Sequence, residues 1–206
     1  RAEHASVASF ARFALELMAL GAPAALLTEC SLAMADEVIH AQSCFAISAE
    51  FGGHTRGVGP LDVGGSLAAA GDPAATLVAL IREGCVGETV SAARAERALA
   101  GTKDPTIRQA LQRIVDDEAR HAAFAWRSAR WLLGEHPALR ELARDTFAEA
   151  QRGEQRPVAP DPSAANLARF GVLDTAARQS VRAQAWQEVI SPAAAALIGA
   201  ERVAYA

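Results

Sequence analysis

Two short motifs pair a glutamate with a histidine at a spacing suited to metal binding on a helix. Residues 36–41 read Asp-Glu-Val-Ile-His-Ala, and residues 117–122 read Asp-Glu-Ala-Arg-His-Ala, 81 positions later. Residues three apart share one helix face about one turn apart, so each motif presents a carboxylate and an imidazole to the same side. One such motif is weak evidence, because chance pairs on helix surfaces are common. Two in the same context favour a common site.

The glutamate and histidine of each motif occupy positions where apolar residues are expected. A stripe at spacings of three and four surrounds each motif, and the two stripes read Leu26, Cys30, Ala33, Glu37, His40, Cys44, Ile47 and Ile107, Leu111, Ile114, Glu118, His121, Ala125, Ser128, Leu132. A lone buried carboxylate is costly or stays protonated. Two acids and two imidazoles facing a core therefore need a compensating charge, which a pair of divalent metal ions supplies.

A dinuclear centre of this kind needs further carboxylates from the two other helices of a bundle. The first helix offers Glu3 and Glu16, and its apolar stripe contains Glu3 but leaves out Glu16. The third helix offers Glu83 and Glu88, and its stripe favours Glu88. A weak repeat, EHASVASFAR from residue 3 and ETVSAARAER from residue 88, agrees with this choice. The predicted metal ligands are Glu3, Glu37, His40, Glu88, Glu118 and His121.

An aspartate precedes the glutamate of each motif, at Asp36 and Asp117. A histidine that binds metal usually donates its second N–H to a carboxylate. In a symmetric bundle each aspartate can serve the histidine of the opposite hairpin, and an ordinary solvated acid is the alternative. No other catalytic residue is predicted.

Long helices must position these groups, and the apolar periods place four of them at about residues 2–20, 23–50, 73–101 and 104–134. The first and second, and the third and fourth, are joined by short turns, so each pair is expected to form an antiparallel hairpin. About twenty glycine-rich residues join the second helix to the third, and they can span up to about 66 Å. A helix of about 27 residues is roughly 40 Å long. The link can therefore cross the bundle, so that helices 2 and 3 run parallel.

The last third of the chain differs in character. We expect residues 1–134 to form the bundle and residues 135–206 to form a helical extension packed on it. A fifth helix is predicted at 137–151, and a sixth at 173–190 that breaks at Ser191-Pro192. Packing on the bundle is expected because Leu173, Val181, Trp186, Val189 and Ile190 need burial, with self-association as the alternative.

Composition excludes several classes of protein. The chain has 206 residues, is 51% hydrophobic and carries a net charge of −4 with scattered basic residues, so we expect one sizeable core and no nucleic-acid partner. No uncharged apolar stretch is long enough for a membrane span. Three cysteines, Cys30, Cys44 and Cys85, form no disulfide framework and are expected in the core. The chain begins at Arg1, which leaves the compartment open between cytoplasm and export.

These residues resemble the ferritin-like superfamily of diiron carboxylate proteins. The resemblance covers roughly residues 2–133 and rests on Glu3, Glu37-Val38-Ile39-His40, Glu88 and Glu118-Ala119-Arg120-His121. The stretches EHASVASFARF and REGCVGETV are also similar to bacterial ferritin-like domain proteins with no assigned reaction. The resemblance implies an all-α fold, a ferritin-like four-helix bundle with one long crossover. It also implies two iron ions, with manganese as the alternative, and reaction with dioxygen or peroxide.

The resemblance leaves several functions open. An oxidase or oxygenase of a small molecule or partner is the leading hypothesis, and the oligomeric state stays open, with a homodimer as one option. Ferroxidase or iron handling, peroxide removal of the manganese-catalase kind, and a structural bundle stabilised by metal are the alternatives. Tyr205 is the only tyrosine, which disfavours a tyrosyl-radical protein. The three cysteines exclude an added four-cysteine iron domain, and the long tail departs from storage ferritins.

Overall fold

The computed structural model describes residues 2–54, 57–153 and 167–199, with side chains from residue 4 onward. Within these ranges every regular element is helical, which confirms the all-α prediction. The elements are α1 (Ala2–Ala19), α2 (Ala24–Gly52), α3 (Pro73–Ala79), a first π-helical segment (Leu80–Glu88), α4 (Thr89–Gly101), α5 (Pro105–Glu135), a short 3-10 helix (Pro137–Leu139), α6 (Arg140–Arg152), α7 (Thr175–Ala185), a second π-helical segment (Trp186–Ile190) and α8 (Ser191–Gly199). No helix among the described residues has the length and apolar character that a membrane crossing requires.

The chain forms two compact units, Arg1–Thr76 and Leu77–Ala206. In unit 1, α1 and α2 pack as the predicted hairpin. The turn is set by Gly21, whose φ of 71° lies in the left-handed region that glycine adopts without a steric penalty. The N–H of Ala22 donates to the carbonyl of Leu17 at 2.9 Å, and that of Gly21 donates to Met18 at 3.2 Å. These two bonds satisfy the last carbonyls of α1 and stop the helix.

Unit 2 is built on a second hairpin. Its first helix, residues 77–101, contains the first π-helical segment, and α5 packs along both this segment and α4. The start of α5 is capped as the sequence predicts. Asp104 Oδ1 accepts from the N–H groups of Thr106 at 2.9 Å and Ile107 at 3.0 Å, and Pro105 occupies the first turn. Helix α7 then packs on α4, and α6 packs on the first π-helical segment.

Replacing Asp104 by alanine should destabilise the protein by about 1 kcal/mol, because two N–H groups at the start of α5 lose their acceptor. Urea unfolding followed by circular dichroism measures this loss. Asp145→Ala is the matched control, because Asp145 is an exposed aspartate inside α6, and its loss should stay within about 0.5 kcal/mol. Equal effects of the two substitutions would contradict the capping role.

The C-terminal helices correct two predictions. The break expected at Ser191-Pro192 does not occur, because α7, the second π-helical segment and α8 form one continuous helix. A proline normally crowds the carbonyl four residues earlier. Here that carbonyl belongs to Glu188 in the π-helical segment, where the wider winding moves it away from the proline ring. Val181, Trp186 and Ile190 are buried as expected, but Val189 is 47% exposed, because it faces a cleft between α7 and α4.

The predicted division of the chain differs from the observed compact units. The boundary expected at residue 134 lies inside unit 2, whose C-terminal helices pack on its hairpin. The division into residues 1–134 and 135–206 therefore stays a prediction. The same holds for the four-helix topology with helices 2 and 3 parallel. Two residues discussed above, Tyr205 and the side chain of Glu3, lie outside the described part of the chain.

Candidate metal centre

The second Glu-x-x-His motif lies at the middle of α5, on its buried face. Glu118 is 4% exposed and His121 is 1% exposed, and the buried residues Ala125, Ser128 and Leu132 continue the same stripe toward the helix end. The predicted spacing of three therefore places a carboxylate and an imidazole together in the core of unit 2. Burial of this kind is rare for an acid unless other groups neutralise it.

Glu88 completes a group of three ligand-type side chains in unit 2. It lies at the end of the first π-helical segment, and its Oε2 is 3.7 Å from Nδ1 of His121. Glu88, Glu118 and His121 each offer a ligand atom, and these atoms lie within 4.8 Å of one another. A separation of 3.7 Å is too long for a hydrogen bond. Two ligands that are each about 2.1 Å from a common ion are 3.7 Å apart when they subtend roughly 120°, so the geometry suits a shared metal ion.

The two glutamates of the first π-helical segment differ in exposure. Glu83 is exposed, whereas the side chain of Glu88 is only 15% exposed. The segment also approaches α5 closely, since a Cβ atom added at Gly84 would lie 2.9 Å from Cβ of Ala125. Sequence periodicity predicted an ordinary helix here and missed the π-helical winding. π-helical turns occur often at functional sites, and Gly84 and Gly87 are the only local hint of it.

The first motif has the same character within unit 1. Glu37 and His40 are each 1% exposed, and both lie on the buried face of α2. Nδ1 of His40 lies 3.6 Å from Oε1 of Glu37, which is again longer than a hydrogen bond and close enough for two ligands of one ion. His40 thus faces the glutamate of its own motif across 3.6 Å, and His121 faces Glu88 of another helix across 3.7 Å.

Glu16 is a buried acid that sequence reasoning missed. It is 3% exposed on α1, between the buried residues Phe13 and Leu17, and its Oε1 is 3.7 Å from Nη1 of Arg12. The neighbouring apolar positions carried the signal, but the chosen stripe ran through Glu3. Thirteen residues separate Glu3 from Glu16, which corresponds to about 20 Å along a helix. Glu16 therefore lies at the turn end of the hairpin, and the choice of Glu3 as the ligand of α1 stays a prediction.

The aspartates that precede the two glutamates differ in their surroundings. Asp117 is 5% exposed and accepts a hydrogen bond from Nη2 of Arg120, while its second oxygen lies 3.6 Å from Nε of Arg113. It is therefore paired on its own helix instead of solvated. Asp36 is half-buried. The role of both aspartates as partners of the opposite histidine stays a prediction.

Two of the three cysteine thiols should be inert. Burial raises the pKa of Cys30 from 9.0 to about 12, and it also raises the pKa of Cys85. At pH 8 the thiolate fraction of Cys30 then falls by about a thousandfold, whereas Cys44 is only half-buried. We expect a thiol reagent to modify one cysteine per native chain rapidly and all three in urea. Rapid modification of all three in the native protein would contradict the burial.

The chain matches no protein-family model, no curated protein and no solved structure. The fold and the geometry of the buried group are therefore the basis for proposing a function. They define the class as an all-helical protein with a buried glutamate and histidine group that is able to hold a metal ion.

Proposed function

We propose that the chain is a dinuclear metal protein that reacts with dioxygen or peroxide and oxidises a small molecule or a partner. The ligands are Glu3, Glu37, His40, Glu88, Glu118 and His121, and the metals are two iron ions, with manganese as the alternative. The observation that carries the proposal is the gap of 3.7 Å between Glu88 and His121 in a buried group that also holds Glu118. A metal ion fills such a gap and neutralises the acids.

The type of ligand atom supports iron or manganese. Carboxylate oxygens with a few imidazole nitrogens suit these metals, whereas thiolates favour softer ions. Neither Cys30 nor Cys85 belongs to the group of ligand-type side chains among the described residues. The ligand-type side chains of the buried group in unit 2 are Glu88, Glu118 and His121. Those of the first motif, in unit 1, are Glu37 and His40.

The side chains of the centre have separate tasks in this proposal. Bound iron would supply the electrons that reduce dioxygen or peroxide. Glu118 and His121 are almost fully buried, so they hold their ligand atoms away from bulk water, which strengthens their electrostatic interactions. Glu88 has the most exposed side chain of the three, at 15%. A small oxidant would therefore reach the group past Glu88.

Metal content tests the proposal most directly. The purified protein should bind about two iron or manganese ions per chain, because two motifs share one dinuclear centre. Elemental analysis gives the stoichiometry, and an anomalous-scattering map of crystals gives the positions. A protein that takes up neither metal under any condition of loading would exclude the proposal.

Further measurements separate the alternative functions. Aerobic titration with ferrous iron that stops at about two ions per chain excludes iron storage, whereas retention of hundreds per assembly supports it. Rapid oxygen evolution from peroxide would favour the catalase alternative. Oxygen consumption that increases when an organic substrate is added would favour the oxidase. Metal that raises stability but consumes no oxygen would favour the structural bundle.

A further inference from the structure

A concave surface lies in unit 1, on the side of α2 that adjoins its metal-ligand face. It has a volume of about 510 Å³ and runs between α1 and α2. Val38 and Ala41, which line it, directly follow Glu37 and His40 in the sequence. The volume falls within the range of about 300–1,000 Å³ that is usual for small-molecule sites. The surface is thus large enough for a ligand, and neither Glu37 nor His40 lines it.

Small side chains on α2 create the concavity. Ala41, Ala46 and Ala49 line it, and Ala46 and Ala49, three residues apart, lie on the same side of the helix. The larger side chains of Phe45 and Val7 stand beside them as walls. Alanines between larger residues leave a hollow that the protein itself does not fill.

The hollow is open to solvent although its walls are apolar. Val38 is 42% exposed, and Val58, which lines it from the connection after α2, is 54% exposed. Exposed apolar surface that is concave favours the binding of an apolar molecule, because binding removes this surface from water.

The polar groups of the lining limit the chemistry of the ligand. Among the described residues that line the hollow, only His4 and Gln42 carry polar side chains, and none is an aspartate, glutamate, lysine or arginine. A ligand with a formal charge would lose hydration without gaining a partner of opposite fixed charge. One polar group on an otherwise apolar molecule, in contrast, can form a hydrogen bond with Gln42 or His4.

We infer that this groove binds a small uncharged molecule with an apolar body and a single polar group. A second copy of the chain is a poorer fit, because a stable protein interface needs about 800 Å² on each partner and a broad contact. The groove offers a hollow of ligand size instead. The inference goes beyond the proposed metal function and requires no metal, so either can fail without the other.

Binding of the neutral fluorophore 1-aminoanthracene to the full chain, with and without chelator, tests the inference. We expect saturable binding of one molecule per chain in both conditions. Ala46→Trp should weaken it by about tenfold or more, because the indole occupies the hollow at an exposed position that tolerates a larger side chain. Ala35→Trp is the matched control, since Ala35 is exposed on the same helix but does not line the groove. Circular dichroism and melting curves verify that both variants fold.

Competition and sedimentation complete the test. A long-chain alcohol should displace the fluorophore at a concentration about tenfold lower than the fatty acid of equal length. Displacement by the fatty acid that is equally effective would overturn the inference that the ligand is uncharged. Absence of saturable binding, or equal losses in Ala46→Trp and Ala35→Trp, would overturn the site. So would sedimentation as a dimer that Ala46→Trp alone converts to a monomer, because a second copy would then occupy the groove.

Discussion

Glu118→Ala should abolish binding of both metal ions, which is the largest effect that we expect from any single substitution. In the proposed centre the glutamate of a Glu-x-x-His motif would serve as a ligand to both ions, so its loss would remove one ligand from each. Wild-type protein at a free metal concentration of 100 Kd should gain about 2.7 kcal/mol of stability from each bound ion. Glu118→Ala should gain none of it. Elemental analysis and melting curves with and without metal measure the two effects.

Glu83→Ala is the matched control for this substitution. Glu83 is a glutamate of the same π-helical segment as Glu88, but it is exposed, and its loss should leave both metals bound. Glu118→Gln keeps the shape of the side chain and removes the charge, so it guards against misfolding as the cause of metal loss. Retention of two metals by Glu118→Ala would show that this glutamate is not a bridging ligand. By sequence analogy, Glu37→Ala should also lose both metals.

Gly84→Val should destabilise the metal-free protein by about 1–3 kcal/mol, the usual cost of overpacking a core. A Cβ atom at this position already meets Cβ of Ala125 at 2.9 Å and Cδ1 of Leu80 at 3.1 Å. The first π-helical segment must then move away from α5, and Glu88, which follows four residues later, moves with it. Metal affinity should therefore fall together with stability. Chemical denaturation and metal titration measure the two losses.

Gly134→Val is the control for the change of residue type. Gly134 lies inside α5, and a Cβ atom there meets nothing within 4 Å. Valine is a somewhat better helix former than glycine, so this substitution should leave stability unchanged or slightly higher and metal binding intact. A Gly84→Val protein as stable as wild type would mean that α5 and the π-helical segment are not in the close contact described here.

Much of the helical architecture was predictable because it depends on local chemistry. Asp104 followed by Pro105 marked the start of α5, and the cap is present. The glycine near residue 21 marked the first turn, and it adopts the positive φ that glycine permits. The burial of Glu118 and His121 was also predictable, because both lie at spacings of three and four within an apolar stripe.

Other features depended on contacts that a local pattern does not encode. The π-helical winding of Leu80–Glu88 arises where a helix packs against α5 at Gly84, and no residue type specifies it alone. The continuation of α7 through Pro192 depends in the same way on a π-helical turn. Glu16 is buried although a stripe drawn through Glu3 excluded it, because neighbouring helices determine how wide a buried face becomes.

The amino-acid sequence by itself determined that this protein is helical and that two Glu-x-x-His pairs lie on buried helix faces. Capping groups, glycine turns and apolar periods act over a few residues, so their effect can be derived without knowing the fold. Only the tertiary structure decided that Glu88 approaches His121 to 3.7 Å and that residues Leu80–Glu88 of its helix are wound as a π-helix. That distance depends on the winding and packing of two helices, since a small rotation of either one would bring a different side chain to the group.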